Sequence, residues 1–206
     1  MSDAAPRSPS FVLASRSASR RAMLDQVGLR YECVPADIDE REVEAGCLSD
    51  GPPRIAATLA AEKARAVGEA LGEALVLGSD SLVRVGGKRF DKPETRQQAA
   101  EHLRAFSGQA MELHSAAALW EPAGDGTGEI RWSHVETARL AFRTLDEEAI
   151  EAYLQREWPA VAGCVGVFRI EGPGVALFDE ISGDYFTILG MPLLPVLKAL
   201  RQHGIG

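Results

Sequence analysis

Apolar residues fall along this chain in short strand-like runs and longer helix-spaced stretches, separated by clusters of Gly, Pro, Ser and acidic residues. Phe11 to Ala14 is uninterrupted and predicts a short strand, followed by a Ser-rich turn from Ser15 to Ser19 and a helix from about Arg20 to Val27 that ends at Gly28. Tyr31 to Val34 predicts a second strand, leading into an acidic stretch from Asp37 to Glu44 and a loop marked by Gly51-Pro52-Pro53. Arg54 to Leu71 is Ala-rich with apolar residues at helical spacing, so a long helix is predicted there.

Leu75 to Leu77 predicts a buried strand that gives way to a turn at Gly78-Ser79-Asp80-Ser81. Leu82 to Val85 and Lys88 to Phe90, joined by Gly86-Gly87, predict a hairpin. Glu94 to Phe106 has the pattern of an amphipathic helix. Met111 to Trp120 and Ile130 to Phe142 predict a long antiparallel hairpin at the centre of the sheet, its tip marked by Pro122, Gly124, Gly126 and Gly128. Asp146 caps a helix to Arg156, Gly163 to Phe178 is glycine-spaced strand or loop, and Met191-Pro192 opens a closing helix through Leu200. The interleaving predicts an α/β fold with a mixed, partly antiparallel sheet flanked by helices, and loops from both halves lining a central groove. The expected organisation is a disordered arm over 1–9 and a single domain over 10–206.

With 206 residues, 46% of them hydrophobic, the chain is long enough for one sizeable core. Its formal net charge of -8 argues against a nucleic-acid surface, which needs a net basic face, but leaves room for an anionic small ligand where a few cations converge. Cys33, Cys47 and Cys164 are odd in number and form no Cys-x-x-Cys pair, which points to a reducing cytoplasm. No segment approaches the roughly 18 apolar residues of a membrane span, so no membrane partner is expected.

Delivered by a buried strand to an exposed loop, Asp80 is placed for metal or proton chemistry, although an Asp beside a Gly also simply makes turns. Glu40 is the carboxylate to pair with it at a divalent cation, since Mg²⁺ uses one or two carboxylates together with substrate phosphates; the alternative is an exposed acidic loop. Ser15, Ser17, Ser19 and Arg20 bring hydroxyls and a guanidinium to a helix N-terminus, which favours an anion but equally describes an ordinary cap with a solvated arginine. Lys63, among small residues on the long helix, and Lys92, before Pro93, are candidate point charges for phosphate oxygens or else solvated side chains. No Gly-x-x-x-x-Gly-Lys loop and no Gly-x-Ser-x-Gly elbow exists, and the four histidines lack metal-ligand spacing, so all four are read as structural.

Taken in order, Leu13-Ala14-Ser15-x-Ser17-x-x-Arg20, Asp37-Ile38-Asp39-Glu40, Leu59-Ala60-x-x-Lys63-Ala64, Gly78-Ser79-Asp80, Lys92-Pro93, Ser107-Gly108, and Gly183-Asp184-Tyr185 with Gly190-Met191-Pro192 resemble the Maf family of nucleotide pyrophosphatases. The resemblance covers nearly the whole chain, from Phe11 to Leu200. It implies a two-lobed fold of the Maf/ITPase kind around a cleft, often dimeric, and Mg²⁺- or Mn²⁺-dependent hydrolysis of a nucleoside triphosphate between the α and β phosphates. On that resemblance Asp80 is the catalytic base, Glu40 its partner at the metal, and Lys63 a further catalytic residue. Arg20, Lys63 and Lys92 match the phosphate-binding cations, with Ser15 and Ser17 in the cradling turn. Ser19, Ser81 and Glu171 stand at the positions that vary with substrate. Members favouring pyrimidine triphosphates have Arg at the position of Ser19 and Gln at that of Glu171, whereas members acting on 7-methyl-GTP share the Glu but have Trp in place of Ser19. A carboxylate at Glu171 suits a guanine edge or a cationic methylated base, so the balance leans to a modified or purine base. Met111 replaces a common family His.

The rival expectation from another class is a cell-division inhibitor that acts by binding a partner, a role attached to the family's name. A plainer one is a nucleotide-binding domain without hydrolysis.

Overall fold

In the computed structural model, which describes residues 11–47 and 51–206, Val76–Val85 forms one continuous strand, β3, and the remaining elements are arranged around it. Parallel to it lies β1 (Phe11–Ala14), which pairs in turn with β2 (Tyr31–Cys33); on its other side the long antiparallel strands β5 (Ala110–Pro122) and β6 (Gly128–Phe142) follow, then β7 (Phe178–Ser182). The short β4 (Lys88–Phe90) folds back on β3 through Gly86-Gly87, both at positive φ as a two-residue hairpin turn requires. The result is a seven-stranded mixed sheet among the described residues. The arm expected over 1–9 lies outside them.

The predicted turn at Gly78-Ser79-Asp80-Ser81 is corrected here to mid-strand. Every residue from Val76 to Val85 faces a partner on β5, from Trp120 back to Met111, and the partners of Gly78, Ser79 and Asp80 are the small residues Ala118, Ala117 and Ala116. Gly, Ser and Asp favour turns because their polar groups compete with the ladder, and that preference lapses when those groups find partners inside. Here they do: Ser79 Oγ donates to the Ala116 carbonyl at 2.8 Å and Ser81 Oγ lies 2.9 Å from the Gly190 carbonyl.

Helix α3 (Pro52–Leu71) crosses one face of β3 at the closest range a backbone allows. A Cβ on Gly78 would stand 2.1 Å from the Ala60 carbonyl oxygen and 2.7 Å from the Ala64 nitrogen, so helix and strand meet with no side chain between them. Helices α1 (Ala18–Gln26), α6 (Tyr185–Leu189) and α7 (Leu193–Arg201) share a core with Leu77 and Leu119, which point from the sheet's other face. At the far end, α4 (Arg96–Phe106) and α5 (Glu147–Glu157) close a second large cluster with Val83, Leu140 and Phe168. Met111 is fully buried in this cluster.

β3 contributes to both clusters, through Leu77 and Val83, and also to two smaller ones under α3, through Val76 and Leu82. On one side it pairs with β1 only along Val76–Gly78 and with β4 only along Val83–Val85. Between those stretches the edge at Ser79–Leu82 has no strand partner among the described residues. Two short helices missed by the periodicity complete the fold: α2 (Glu40–Ala45), in the predicted acidic loop, and α6. A 3₁₀ turn at Ala160–Gly163 leads into the Gly163–Phe178 stretch, which holds a second, Pro173–Leu177, before β7 begins.

Candidate active site

Asp80 stands on the unpaired stretch of β3, 7% exposed, on the face that α3 covers. Its Oδ1 accepts a hydrogen bond from Lys63 Nζ at 2.5 Å, and the same ammonium lies 2.7 Å from Glu40 Oε1. The reach follows from the packing: Lys63 is three residues beyond Ala60, on the turn of α3 that rests on Gly78, two residues from Asp80. Glu40 is the first residue of α2, whose N-cap Asp39 accepts from the Arg41 and Glu42 backbone N–H groups. One carboxylate is thus buried and the other half-exposed, with one ammonium between them. Asp80 belongs to a buried strand and not to the exposed loop expected from sequence.

Arg20 approaches from the opposite side of the sheet. It is buried, which the reading of a solvated arginine did not anticipate, and three of its five N–H donors are committed. Nε donates to the Gly190 carbonyl at 2.9 Å, Nη1 to Ser15 Oγ at 3.1 Å and Nη2 to Ser81 Oγ at 3.0 Å. One N–H on each Nη is left over, and two such donors are what a phosphate takes from an arginine. Burial lowers the Arg20 pKa, while the charges of Asp80 and Glu40 support its protonation. Burial likewise pushes the Asp80 carboxyl above its ordinary range, against the opposing pull of Lys63 and Arg20.

The turn before α1 forms as its composition predicts. Ser15 Oγ accepts from the Ser17 N–H, and Ser17, the N-cap, accepts from the Arg20 N–H and shares a 3.0 Å hydrogen bond with Ser19 Oγ. Ser81 joins the cluster through Arg20. Lys92 and Glu171 do not: both are exposed and make no hydrogen bond or ion pair among the described residues. Burial pushes the Cys164 thiol up; the Glu171 charge adds to this and those of Arg169 and Lys92 oppose it. Sequence reasoning missed the Gly190 carbonyl and Ser115, which hydrogen-bond around Arg20 and Ser81; a carbonyl carries no residue-type signal.

Two carboxylates that reach one ammonium can also reach one metal cation. No group of three or more His, Cys, Asp or Glu able to hold a metal occurs among the described residues. A cation at Asp80 and Glu40 would therefore draw its other ligands from water and a bound anion, the usual situation for Mg²⁺, and the residues fit it.

A buried carboxylate, a bridging ammonium and a half-committed guanidinium, gathered where a mixed α/β sheet loses a strand partner, suit hydrolysis of a bound polyanion. The chain belongs to the Maf-like protein family, whose model matches residues 10–203. It is 45% identical over 192 residues to a nucleoside triphosphate pyrophosphatase of Rhodopseudomonas palustris, covering 93% of each chain. It is 43% identical over 198 residues to a 7-methyl-GTP pyrophosphatase of Rhizobium etli, covering 95% of this chain and 97% of the other. A solved HAM1 protein from Coxiella burnetii aligns at 22% identity and a TM-score of 0.38, over 65% of this chain and 73% of that one, a superposition too loose to argue from.

Proposed function

We propose that this Maf-family protein is a cytoplasmic hydrolase that splits a nucleoside triphosphate between its α and β phosphates, releasing a nucleoside monophosphate and pyrophosphate. The observation that carries the reading is the convergence of Asp80, Lys63, Glu40 and Arg20, residues from four separate elements, at the unpaired stretch of β3. The names of the similar proteins, nucleoside triphosphate pyrophosphatase and 7-methyl-GTP pyrophosphatase, support the same activity. They carry no division-inhibitor role, and nothing in the fold favours that reading.

In this account water attacks the α-phosphorus and passes a proton to Asp80 as the bond to the bridging oxygen breaks and pyrophosphate departs. Lys63 keeps Asp80 oriented through its 2.5 Å contact, so the second carboxylate oxygen takes the proton. Arg20 offers its two remaining N–H groups to phosphate oxygens, and the Ser15–Ser17 turn lines the same approach. Counting Asp80, Glu40, Lys63 and Arg20, the cluster is formally neutral, so it does not by itself offset a polyphosphate. A divalent cation held by Asp80 and Glu40, Mg²⁺ or Mn²⁺, would supply that charge and polarise the phosphate. Lys92, exposed and without a hydrogen bond or ion pair among the described residues, we assign to the phosphates of a bound nucleotide.

For the base we infer a purine or methylated purine, because the exposed Glu171 carboxylate accepts hydrogen bonds and favours a cation. Incubating the protein with dTTP, UTP, GTP and 7-methyl-GTP, with and without Mg²⁺, and assaying pyrophosphate separately from orthophosphate tests the whole reading. Pyrophosphate release that needs the cation and is fastest with the guanine nucleotides is expected. Orthophosphate alone would overturn the bond assignment, metal-independent turnover the cation, and faster turnover of dTTP or UTP the base.

A further inference from the structure

The hydrogen bonds that hold Arg20 extend to a residue outside the carboxylate–lysine cluster, Glu136. Glu136 stands on β6, about a third exposed, and its Oε2 accepts a hydrogen bond from Thr187 Oγ1 at 2.8 Å while its Oε1 lies 3.0 Å from His134 Nε2. Thr187 is fully buried in α6. Its hydroxyl has one proton and two carboxylates within range. The second, Asp184 Oδ2, is farther at 3.2 Å and already accepts the Thr187 backbone N–H at 2.8 Å as the N-cap of α6, so the hydroxyl proton belongs to Glu136.

From Thr187 the network continues towards Arg20. The Thr187 carbonyl accepts from Ser115 Oγ at 2.8 Å, Ser115 and Ser81 share a 3.0 Å hydrogen bond, and Arg20 Nη2 donates to Ser81 at 3.0 Å. Each hydroxyl has a single proton. Ser115 spends its own on Thr187, while Ser81 has two acceptors within range, the Gly190 carbonyl at 2.9 Å and Ser115 Oγ at 3.0 Å, and both lead from the guanidinium to α6. The other end of α6 reaches Arg20 directly, because the carbonyl of its C-cap residue Gly190 accepts from Arg20 Nε at 2.9 Å. Gly190 holds a φ of +108°, and a Cβ there would lie 3.3 Å from Ser81 Oγ, so only glycine presents this carbonyl without strain. Two of the three committed donors of Arg20 thus depend on where α6 sits, and Glu136 and Ser115 are side chains from the sheet that hold α6 at Thr187.

We propose that Glu136 is a positioning residue for substrate phosphate binding, acting on Arg20 through Thr187, Ser115 and Ser81. The inference rests on Arg20 being a phosphate ligand. Because Glu136 is about a third exposed and belongs to none of the hydrophobic clusters, its removal is expected to leave the fold in place and loosen the guanidinium.

The test is steady-state kinetics with the best nucleotide of the panel, alongside thermal melts. Glu136→Ala is expected to raise KM about tenfold with kcat changed less than about threefold and Tm nearly unmoved. Glu136→Gln, which keeps an oxygen for Thr187, is expected to restore KM to within about threefold of the parent. Ser115→Ala breaks the same run, so the double variant with Glu136→Ala should be no worse than the weaker single variant. A KM unmoved in Glu136→Ala, a fall in Tm without a change in KM, or multiplying effects in the double variant would overturn the positioning role. Arg20→Lys serves as the control: a KM unchanged in that variant would remove Arg20 from phosphate binding, and the inference would go with that reading.

Discussion

Asp80→Asn is expected to lower kcat about a thousandfold, the range in which a positioned general base contributes, while circular dichroism and the melting curve stay close to the parent's. Asparagine has the shape of aspartate and keeps an oxygen for Lys63 Nζ, so the 2.5 Å contact has a replacement and α3 has no reason to shift. The fold also tolerates the change because burial already works against the ionised form of Asp80. What the amide cannot do is accept a proton from water or offer a charged oxygen to a cation. Single-turnover assays of pyrophosphate release measure the effect, and a variant retaining more than about a tenth of the parent rate would take the base role from Asp80. Glu40→Gln provides the contrast. Glu40 is half-exposed and reaches the ammonium from outside, so its loss should weaken the response to divalent cation more than the chemical step.

Gly78→Ala is the second large effect, and it falls on stability and activity together. The added Cβ would sit 2.1 Å from the Ala60 carbonyl oxygen and 2.7 Å from the Ala64 nitrogen, and both obstacles are backbone, so no side chain can rotate away. Either α3 lifts from β3 or the strand buckles. Overpacking of this kind costs about 3 kcal/mol, which for a chain of this size lowers Tm by about 6–12 °C. Any protein that remains folded should be impaired as well, because the helix that moves carries Lys63 and the strand beneath it carries Asp80. Differential scanning calorimetry with parallel kinetics tests both halves. A melting temperature within about 2 °C of the parent's would mean the helix is not held against the strand as described.

Much of this architecture can be read from the chain. The long helix, the hairpin around Gly86-Gly87, the β5–β6 hairpin and the Asp146 cap all follow from period and punctuation, because each is long enough, or its turn specific enough, for local preference to decide. The short helices α2 and α6 span six and five residues, too few for a period to show, although Asp39 and Asp184 at their N-caps were the available signal. The error at Gly78–Ser81 has a different origin. Four residues with turn chemistry lie inside a strand because Ala116, Gly190 and Lys63, distant in sequence, satisfy their polar groups.

The site divides along the same line. Asp80, Glu40, Lys63, Arg20, Ser15 and Ser81 were named from motif order and residue chemistry, and the structure brings them together. Lys92 and Glu171, named in the same way, are exposed and make no hydrogen bond or ion pair with them.

By itself, then, the sequence determined the kinds of element, their order and the residues able to carry charge, since these depend on neighbours a few positions away. Only the tertiary structure decided that Asp80 is buried in mid-strand, that one ammonium joins two carboxylates, and that Arg20 is fixed by a carbonyl from residue 190. Those facts arise from contacts between distant segments, where exclusion of water makes each polar group depend on the partner that packing brings to it.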